Sequence, residues 1–281
     1  MLPISVVIPA YNAEEFIRET IESVLNQTFI DYELIIADDM SDDQTKDIIL
    51  SYNDLRIRYV LCNHDFIGTR NKALQMARGK YIAQLDHDDI MVPDRLRIQY
   101  DFMETHSEIA ACGGFLKCFG KLDEIWRGAF GADDLLLHCI VETPILNPTG
   151  FIRREILTKH KIRHRRGYSF AEDYKFWTEI AKVGKLAVIP KVLVHYRISD
   201  KQASVIHSVR MHEATLKIQN EMINYFLSKL NTDSKLGKIV SSKFLPSLEK
   251  IIHQGFFSKD VYFAFMHELI RGLKLKGEIK L

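Results

Sequence analysis

Three carboxylates fall within four residues, Asp86, Asp88 and Asp89, directly after the apolar run Tyr81–Leu85. Hard divalent cations such as Mg2+ and Mn2+ take oxygen ligands, commonly one or two carboxylates completed by substrate phosphates. A strand that ends in this cluster is a place to hold such a cation; a solvated Asp-rich turn is the plainer alternative. A second pair, Glu172-Asp173, opens a helical stretch. Negative charge is favoured at a helix start, and the same carboxylates can take a proton from an attacking hydroxyl. Three further residues could bind a nucleotide. Tyr11 offers a ring face, Asp39 can accept the imide N–H of uracil, which cytosine lacks, and Arg70 can reach a base carbonyl or a phosphate. His195 and Arg197 are candidates to neutralise a leaving diphosphate, with Ser204 beside them in sequence.

The elements that must position these groups follow from periodicity. Ile4–Ile8 is a nearly continuous apolar run of the kind buried on both faces of a parallel sheet, stopped by Pro9. A helix over Glu14–Asn26 puts Phe16, Ile17, Thr20, Ile21, Val24 and Leu25 on one face. Tyr32–Ala37 predicts a second strand ending at Asp38-Asp39. Ser41 and Gln44 then have capping-box spacing for a helix through Ile48-Ile49. Ile57–Leu61 predicts a third strand, Gly68–Ala77 a helix and Tyr81–Leu85 a fourth strand. This alternation implies an α/β fold, a doubly wound, mostly parallel sheet with right-handed crossovers. Ligands of such sheets bind outside the carboxyl ends of the strands, and the polar clusters sit at those ends. Further on, Arg95–His106 reads as a helix, Ile109–Phe119 as a strand weakened by Gly113 and Gly114, and Lys121–Gly131 as irregular. Asp133–Val141 reads as a short helix, Asn147–Ile152 as strand-like, Tyr174–Val183 as a helix, and Lys185–Ile189 and Val192–Tyr196 as two strands around Pro190. From about 205 the pattern is helical. The expected division is a catalytic domain over 1–205, with a nucleotide-sugar half to about 106 and an acceptor half over about 107–205, and a helical C-terminal region over 206–281.

Composition excludes several classes. The net charge of +1 gives no reason to expect a nucleic-acid partner, although residues 201–281 carry 13 Lys/Arg against 7 Asp/Glu and leave 1–200 at −5. Four cysteines without C-x-x-C spacing read as reduced thiols. The N-terminus lacks the pattern of an export signal, and no apolar run approaches a membrane span; the expected location is cytoplasmic. There is no G-x-G-x-x-G after the first strand and no Walker A loop, which leaves a carboxylate-held metal as the means of gripping a diphosphate here.

Taken together, P-A-Y-N (9–12), D-D-M-S-D-D-Q-T (38–45), G-T-R-N (68–71), D-H-D-D (86–89), A-E-D-Y-K-F-W (171–177) and H-Y-R (195–197) resemble glycosyltransferase family 2 and its GT-A fold over about residues 3–205. The resemblance implies inverting transfer from a nucleotide-sugar. It places Pro9, Tyr11, Asp39, Arg70, Asp86 and Arg197 at the nucleotide-sugar, Asp88 and Asp86 on Mn2+ or Mg2+, and Asp173 as the base. Glu172, Trp177 and His195 would stand on the donor-sugar or acceptor side. Met40 departs from the glycine usual in the second motif, where a positive φ is expected. The run from Asn147 to His212 is similar to bacterial lipooligosaccharide β-1,3-N-acetylhexosaminyltransferases. That implies UDP-GlcNAc as donor, before UDP-GalNAc, UDP-Gal or UDP-Glc, and a glycan or lipid-linked glycan acceptor of cell-surface polysaccharide or lipooligosaccharide. A sugar-1-phosphate nucleotidyltransferase would want a glycine-rich basic loop where Pro9–Asn12 stands, and a non-catalytic nucleotide-binding protein would not need Glu172-Asp173. The aromatic and basic stretch 255–281 is expected either to pack on the domain or to make peripheral contact with the inner face of the cytoplasmic membrane.

Overall fold

The computed structural model describes residues 2–131, 135–199 and 206–228. Strands β1 (Ile4–Ala10), β2 (Tyr32–Asp38), β3 (Ile57–Leu61) and β4 (Tyr81–Gln84) pair in parallel in the order β3-β2-β1-β4, as the alternation predicts. The second half of the sheet is mixed. β8 (Phe151–Arg153) runs antiparallel to β4, and β6 (Ile109–Gly120) antiparallel to β8. β9 (Lys185–Ile198) is parallel to β6, and β5 (Ile90–Met91) closes the edge against β9. A short β7 (Ile125–Trp126) folds back on β6 within the stretch expected to be irregular.

Successive strand residues point to opposite faces, so Val6 and Val7 enter different cores. On one face α1 (Ile17–Leu25) and α4 (Arg95–Thr105) bury Ile17, Ile21, Leu96 and Met103 against Val6, Ile8 and Leu34. On the other, α3 (Phe66–Met76), α6 (Arg154–His160) and α7 (Glu172–Ala181) bury Ala73, Leu157, Phe176 and Trp177 against Val7, Ile35 and Ile82. Two shorter helices, α2 (Thr45–Leu50) and α5 (Leu135–His138), and a 21-residue helix α8 (Ser208–Ser228) complete the described elements. The four cysteines are buried and none forms a disulfide among the described residues. No described helix is long and apolar enough to cross a membrane.

Several local expectations are corrected. Helix α1 begins at Ile17, not Glu14, and ahead of it the backbone N–H groups of Ala13 and Glu14 are satisfied by the side chains of Thr45 and Asp43. Ser41 does not cap α2. Its hydroxyl donates to Asp38 Oδ1 at 2.6 Å, the helix starts at Thr45, and Asp43 accepts the Thr45 N–H. Pro148 turns Asn147–Thr149 into a 3-10 turn, so only Phe151–Arg153 of that segment is strand. The two strands expected around Pro190 form a single β9. Its register against β6 shifts between Gly113/Val188 and Phe115/Val192, so the missing proline N–H falls in an irregularity of the ladder. Gly113 and Gly114 do not weaken β6 but let it pack. A Cβ on Gly114 would collide with Leu193, and one on Gly113 with Ile145 and Thr149. Met40 adopts φ +62, the left-handed conformation that its motif requires, with its side chain half exposed. The tail at 255–281 and Ser204 lie outside the described residues.

Candidate functional site

The carboxyl ends of β1, β2 and β4 open on a cavity of about 1200 Å3. At the β2 end two adjacent aspartates do different work. Asp38 is buried and spent on structure: Oδ1 accepts from the Ser41 N–H and hydroxyl, and Oδ2 accepts from the Tyr59 hydroxyl at 2.7 Å. Asp39 lines the cavity. Its side-chain Oδ1 accepts from the Asp65 N–H and the Thr69 hydroxyl, each at 2.6 Å. Beside it Tyr11 is 43% exposed, its ring 5.0 Å from that of His64. His64 is itself held by an Nδ1 contact of 3.2 Å to the Asp39 carbonyl. The left-handed turns at Asn12, Met40 and His64 bring these three loops together.

At the β4 end Asp86 and Asp88 line the cavity with His87 between them. His87 Nδ1 lies 3.3 Å from the Pro9 carbonyl, and the His87 carbonyl accepts from the Thr20 hydroxyl at 2.8 Å, which fixes the loop. Burial pushes the Asp88 carboxyl above its ordinary range, and the charge of Asp86 adds to the effect while His87 opposes it. Asp89 is turned inward: fully buried, it accepts the Arg197 backbone N–H at 3.0 Å and ties the loop to β9. Among the described residues no group of three or more His, Cys, Asp or Glu forms a metal cage. Two carboxylates on an open cavity suit a cation whose remaining ligands come from a diphosphate and water, which is how Mg2+ and Mn2+ usually meet nucleotides.

The third wall is the start of α7. Glu172 is 3% exposed, and burial pushes its carboxyl up to about 7, with Arg70 pulling it down and Asp173 pushing it further. Burial likewise raises the Asp173 carboxyl, against the Tyr174 N–H, which donates to Oδ1 at 2.7 Å. Arg70 links the walls, with Nη2 3.5 Å from Asp86 Oδ1, Nε 3.3 Å from Glu172 Oε1, and its guanidinium over the Phe66 ring. Burial would lower the Arg70 guanidinium, but Asp86, Glu172 and Asp173 together hold it above its ordinary value.

Pro9, Tyr11, Asp39, Arg70, Asp86, Asp88, Glu172 and Asp173 are thus gathered on one cavity. Three expected residues are not. Arg197 lies outside the lining; its side chain donates to Glu19 and to the Asp88 carbonyl and is packed between the rings of Phe16 and Phe119. It holds the loop 86–89 from behind. His195 is exposed on β9, paired with Ile90, and away from the cavity. Trp177 is wholly buried one helical turn below Asp173, and its indole N–H donates to Asn147, itself a lining residue.

Sequence reasoning missed the far wall. Met211, His212, Thr215 and Gln219 of α8 line the cavity, as do Phe66, Phe170 and Tyr196. Helix α8 is fixed there by Lys175 to Glu221 at 2.6 Å and by Gln219 to the Val141 carbonyl at 2.6 Å. Its helical pattern was legible; its docking on α7, through a partner 46 residues away, was not.

Residues 5–176 match the model of Glycosyl transferase family 2. The chain is 32% identical to an uncharacterized glycosyltransferase of Haemophilus influenzae, over 92% of this chain and 87% of that one. It is 34% identical to the UDP-Glc:alpha-D-GlcNAc-diphosphoundecaprenol beta-1,3-glucosyltransferase WfaP of Escherichia coli, over 64% of this chain and 71% of that protein. Among solved structures it resembles S. aureus TarS 1-349 in complex with UDP-GlcNAc (TM-score 0.65, 22% identity, 88% of this chain and 77% of that one). It also resembles the mannosyltransferase PcManGT of Pyrobaculum calidifontis in complex with GDP-Man and Mn2+ (TM-score 0.56, 15% identity, 95% and 84%). The fold is that of GT-A-like glycosyltransferases, and by sequence the chain belongs to glycosyl transferase family 2.

Proposed function

We propose that the chain transfers GlcNAc from UDP-GlcNAc to a hydroxyl of a lipid-linked or free glycan, with a divalent cation and with inversion. The observation that carries this reading is the convergence of these groups on one cavity. Tyr11 and Asp39 suit a uracil, Asp86 and Asp88 a metal-bound diphosphate, and Asp173 shares the same lining with residues of α8. Residues 1–205 would form the catalytic domain, and α8 of the 206–281 region would complete the acceptor side.

In this reading Tyr11 stacks on the base and Asp39 accepts its imide proton. Asp86 and Asp88 would hold Mn2+ or Mg2+, which supplies Lewis-acid neutralisation of the departing diphosphate. Arg70 lies between Asp86 and Glu172, where its cation holds the acidic walls together and adds positive charge beside the diphosphate. The acceptor hydroxyl gives its proton to Asp173. Because the Tyr174 N–H occupies Oδ1, the proton goes to Oδ2. The carboxyl is raised by burial, which makes its ionised form a stronger base than a solvated aspartate. The acceptor oxygen bonds to the anomeric carbon as the bond to the β-phosphate oxygen breaks, UDP leaves, and an α-linked donor gives a β-linked product.

A second reading, with UDP-Glc as donor, is favoured by the activity named for the E. coli relative. Both are tested by following UDP release from a panel of UDP-sugars with Mn2+ present. The expected result is turnover of UDP-GlcNAc that EDTA and Asp88→Ala abolish. Full activity in EDTA would refute the metal assignment, and release from UDP-Glc alone would select the second reading.

A further inference from the structure

The loop 162–170 reaches the cavity lining at Phe170, and hydrogen bonds tether it on both sides. Asn71 exchanges hydrogen bonds with the His164 backbone in both directions, at 3.0 and 2.8 Å. The His164 ring is buried and stacked 4.3 Å from Phe176, and the Tyr168 hydroxyl donates to Glu221 at 2.6 Å. Beside these anchors Arg163, Arg165 and Arg166 are exposed. Arg166 pairs with Asp65, but among the described residues no ion pair or hydrogen bond engages Arg163 or Arg165.

Phe170, at the end of this loop, lines the cavity. Its φ is +62, unusual for a bulky side chain. Its ring stacks on His207 at 3.8 Å and lies 6.3 Å from Phe66, so the loop, the start of α3 and the approach to α8 form one rim. On that rim Phe66, Ile206 and Val209 are 43, 60 and 73% exposed. Arg210, exposed and likewise unengaged, stands beside Val209, and Glu213 one turn further is an exposed carboxylate. Exposed apolar side chains around the mouth of a binding cavity mark an interaction surface. Around the loop and the start of α8 the exposed Arg163, Arg165, Arg166 and Arg210 outnumber the acids Asp65 and Glu213, while Glu14 and Glu15 are exposed carboxylates elsewhere in the cavity lining.

We propose that this rim seats on an anionic lipid surface. The arginines meet headgroup phosphates, for which the planar guanidinium is suited, and Phe66, Ile206 and Val209 enter the interfacial layer. The cavity then opens toward the bilayer, and a lipid-linked acceptor reaches Asp173 without leaving it. The proposal draws its purpose from the acceptor reading above, but its geometry and its test need no donor.

The test is binding of the full-length chain to vesicles of phosphatidylcholine alone and of phosphatidylcholine mixed with phosphatidylglycerol. Wild type is expected to bind the mixed vesicles, weaken with salt, and ignore the neutral ones. Each cation near such a surface contributes about fivefold in partition, so R163Q/R165Q/R210Q should bind about a hundredfold more weakly. Ile206→Ser with Val209→Ser should weaken binding without changing its salt dependence. Melting temperature and UDP affinity report that the variants fold. If the triple variant does not, R163Q and R165Q singly, each expected to lose about fivefold, decide the matter. Wild type that does not bind anionic vesicles, arginine variants that bind as wild type does, or binding lost only on removal of 255–281 would overturn the proposal. Loss of transfer with vesicle binding intact would instead count against the transferase reading.

Discussion

Asp39→Asn tests how the base is read, because the structure dictates which way the new amide must face. The Asp65 N–H is a backbone donor and cannot turn away, and it points at Oδ1 from 2.6 Å, with the Thr69 hydroxyl beside it at the same distance. An asparagine here must keep its carbonyl oxygen toward those two donors, which aims the Nδ2 amide at the cavity. The acceptor that would meet a uracil imide N–H becomes a donor. A hydrogen bond to a charged group is worth about 1.5–3 kcal/mol, so UDP affinity should fall by about 10- to 100-fold, and two opposed N–H groups add to the loss. Cytosine presents an acceptor at the same ring position, so CDP should gain relative to UDP. The cost to folding is smaller, since both internal hydrogen bonds survive with a neutral acceptor, at about 1 kcal/mol in all. Calorimetric titration of wild type and variant with UDP and CDP reads the ratio directly, with a thermal melt as control. A folded variant that keeps the wild-type UDP-to-CDP preference would show that Asp39 does not face the base.

Other outcomes follow from the same geometry. Asp173→Asn keeps the Tyr174 contact but cannot take a proton, and transfer should fall by about 10²–10⁴-fold in initial rates while UDP binding persists. A variant within a few-fold of wild type would move the base to Glu172. Burial lowers the His164 imidazole to about 3, so the folded protein keeps it neutral while the unfolded chain takes up a proton below about 6.5. Stability from this group is therefore lost as pH falls, by about 1.4 kcal/mol at pH about 5.5. Urea unfolding of His164→Gln should lose that much less than wild type between neutral pH and that value, and equal losses would refute it. Met40 sits at φ +62, a conformation that costs a side-chain-bearing residue about 1–2 kcal/mol, against the 0.5–1 kcal/mol of extra chain entropy that glycine brings. Met40→Gly should leave stability unchanged or raise it by up to about 1 kcal/mol in denaturant melts; a loss greater than that would mean that the half-exposed side chain packs in the folded state.

The first half of the sheet was legible because its signals are local. Ile4–Ile8 and Tyr32–Ala37 are mostly apolar runs, interrupted only by Ser5 and Glu33 and each followed by residues that line the cavity, and parallel strands of this kind need no distant information to be read. The misplacements came where a distant partner decides. Arg197 looked like a free cation at a strand end, but Phe16, Glu19 and Phe119 enclose it from elsewhere in the chain. Trp177 follows Asp173 by one helical turn and so shares its side of α7, yet it sits one layer deeper, on Asn147. Ser41 had the spacing of a cap but a nearer competitor in Asp38. Strand β5 has two residues and exists only through its pairing with β9, a hundred positions later.

Helix α8 has a consequence for descent. The family match ends at residue 176, within α7, whereas Met211, His212, Thr215 and Gln219 come from beyond it and still face the carboxylates that would do the chemistry. One stretch of chain thus carries the proposed nucleotide grip and the proposed base, and another carries further residues of the same cavity lining. Mutations in the second stretch reshape what fits against Asp173 without touching Asp39, Asp86 or Asp88. Such a division lets a lineage change its glycan product by drift in one helix while the reaction itself stays under constant selection. Exchanging α8 between relatives is then the direct way to learn which sugar linkages a common catalytic frame can be made to build.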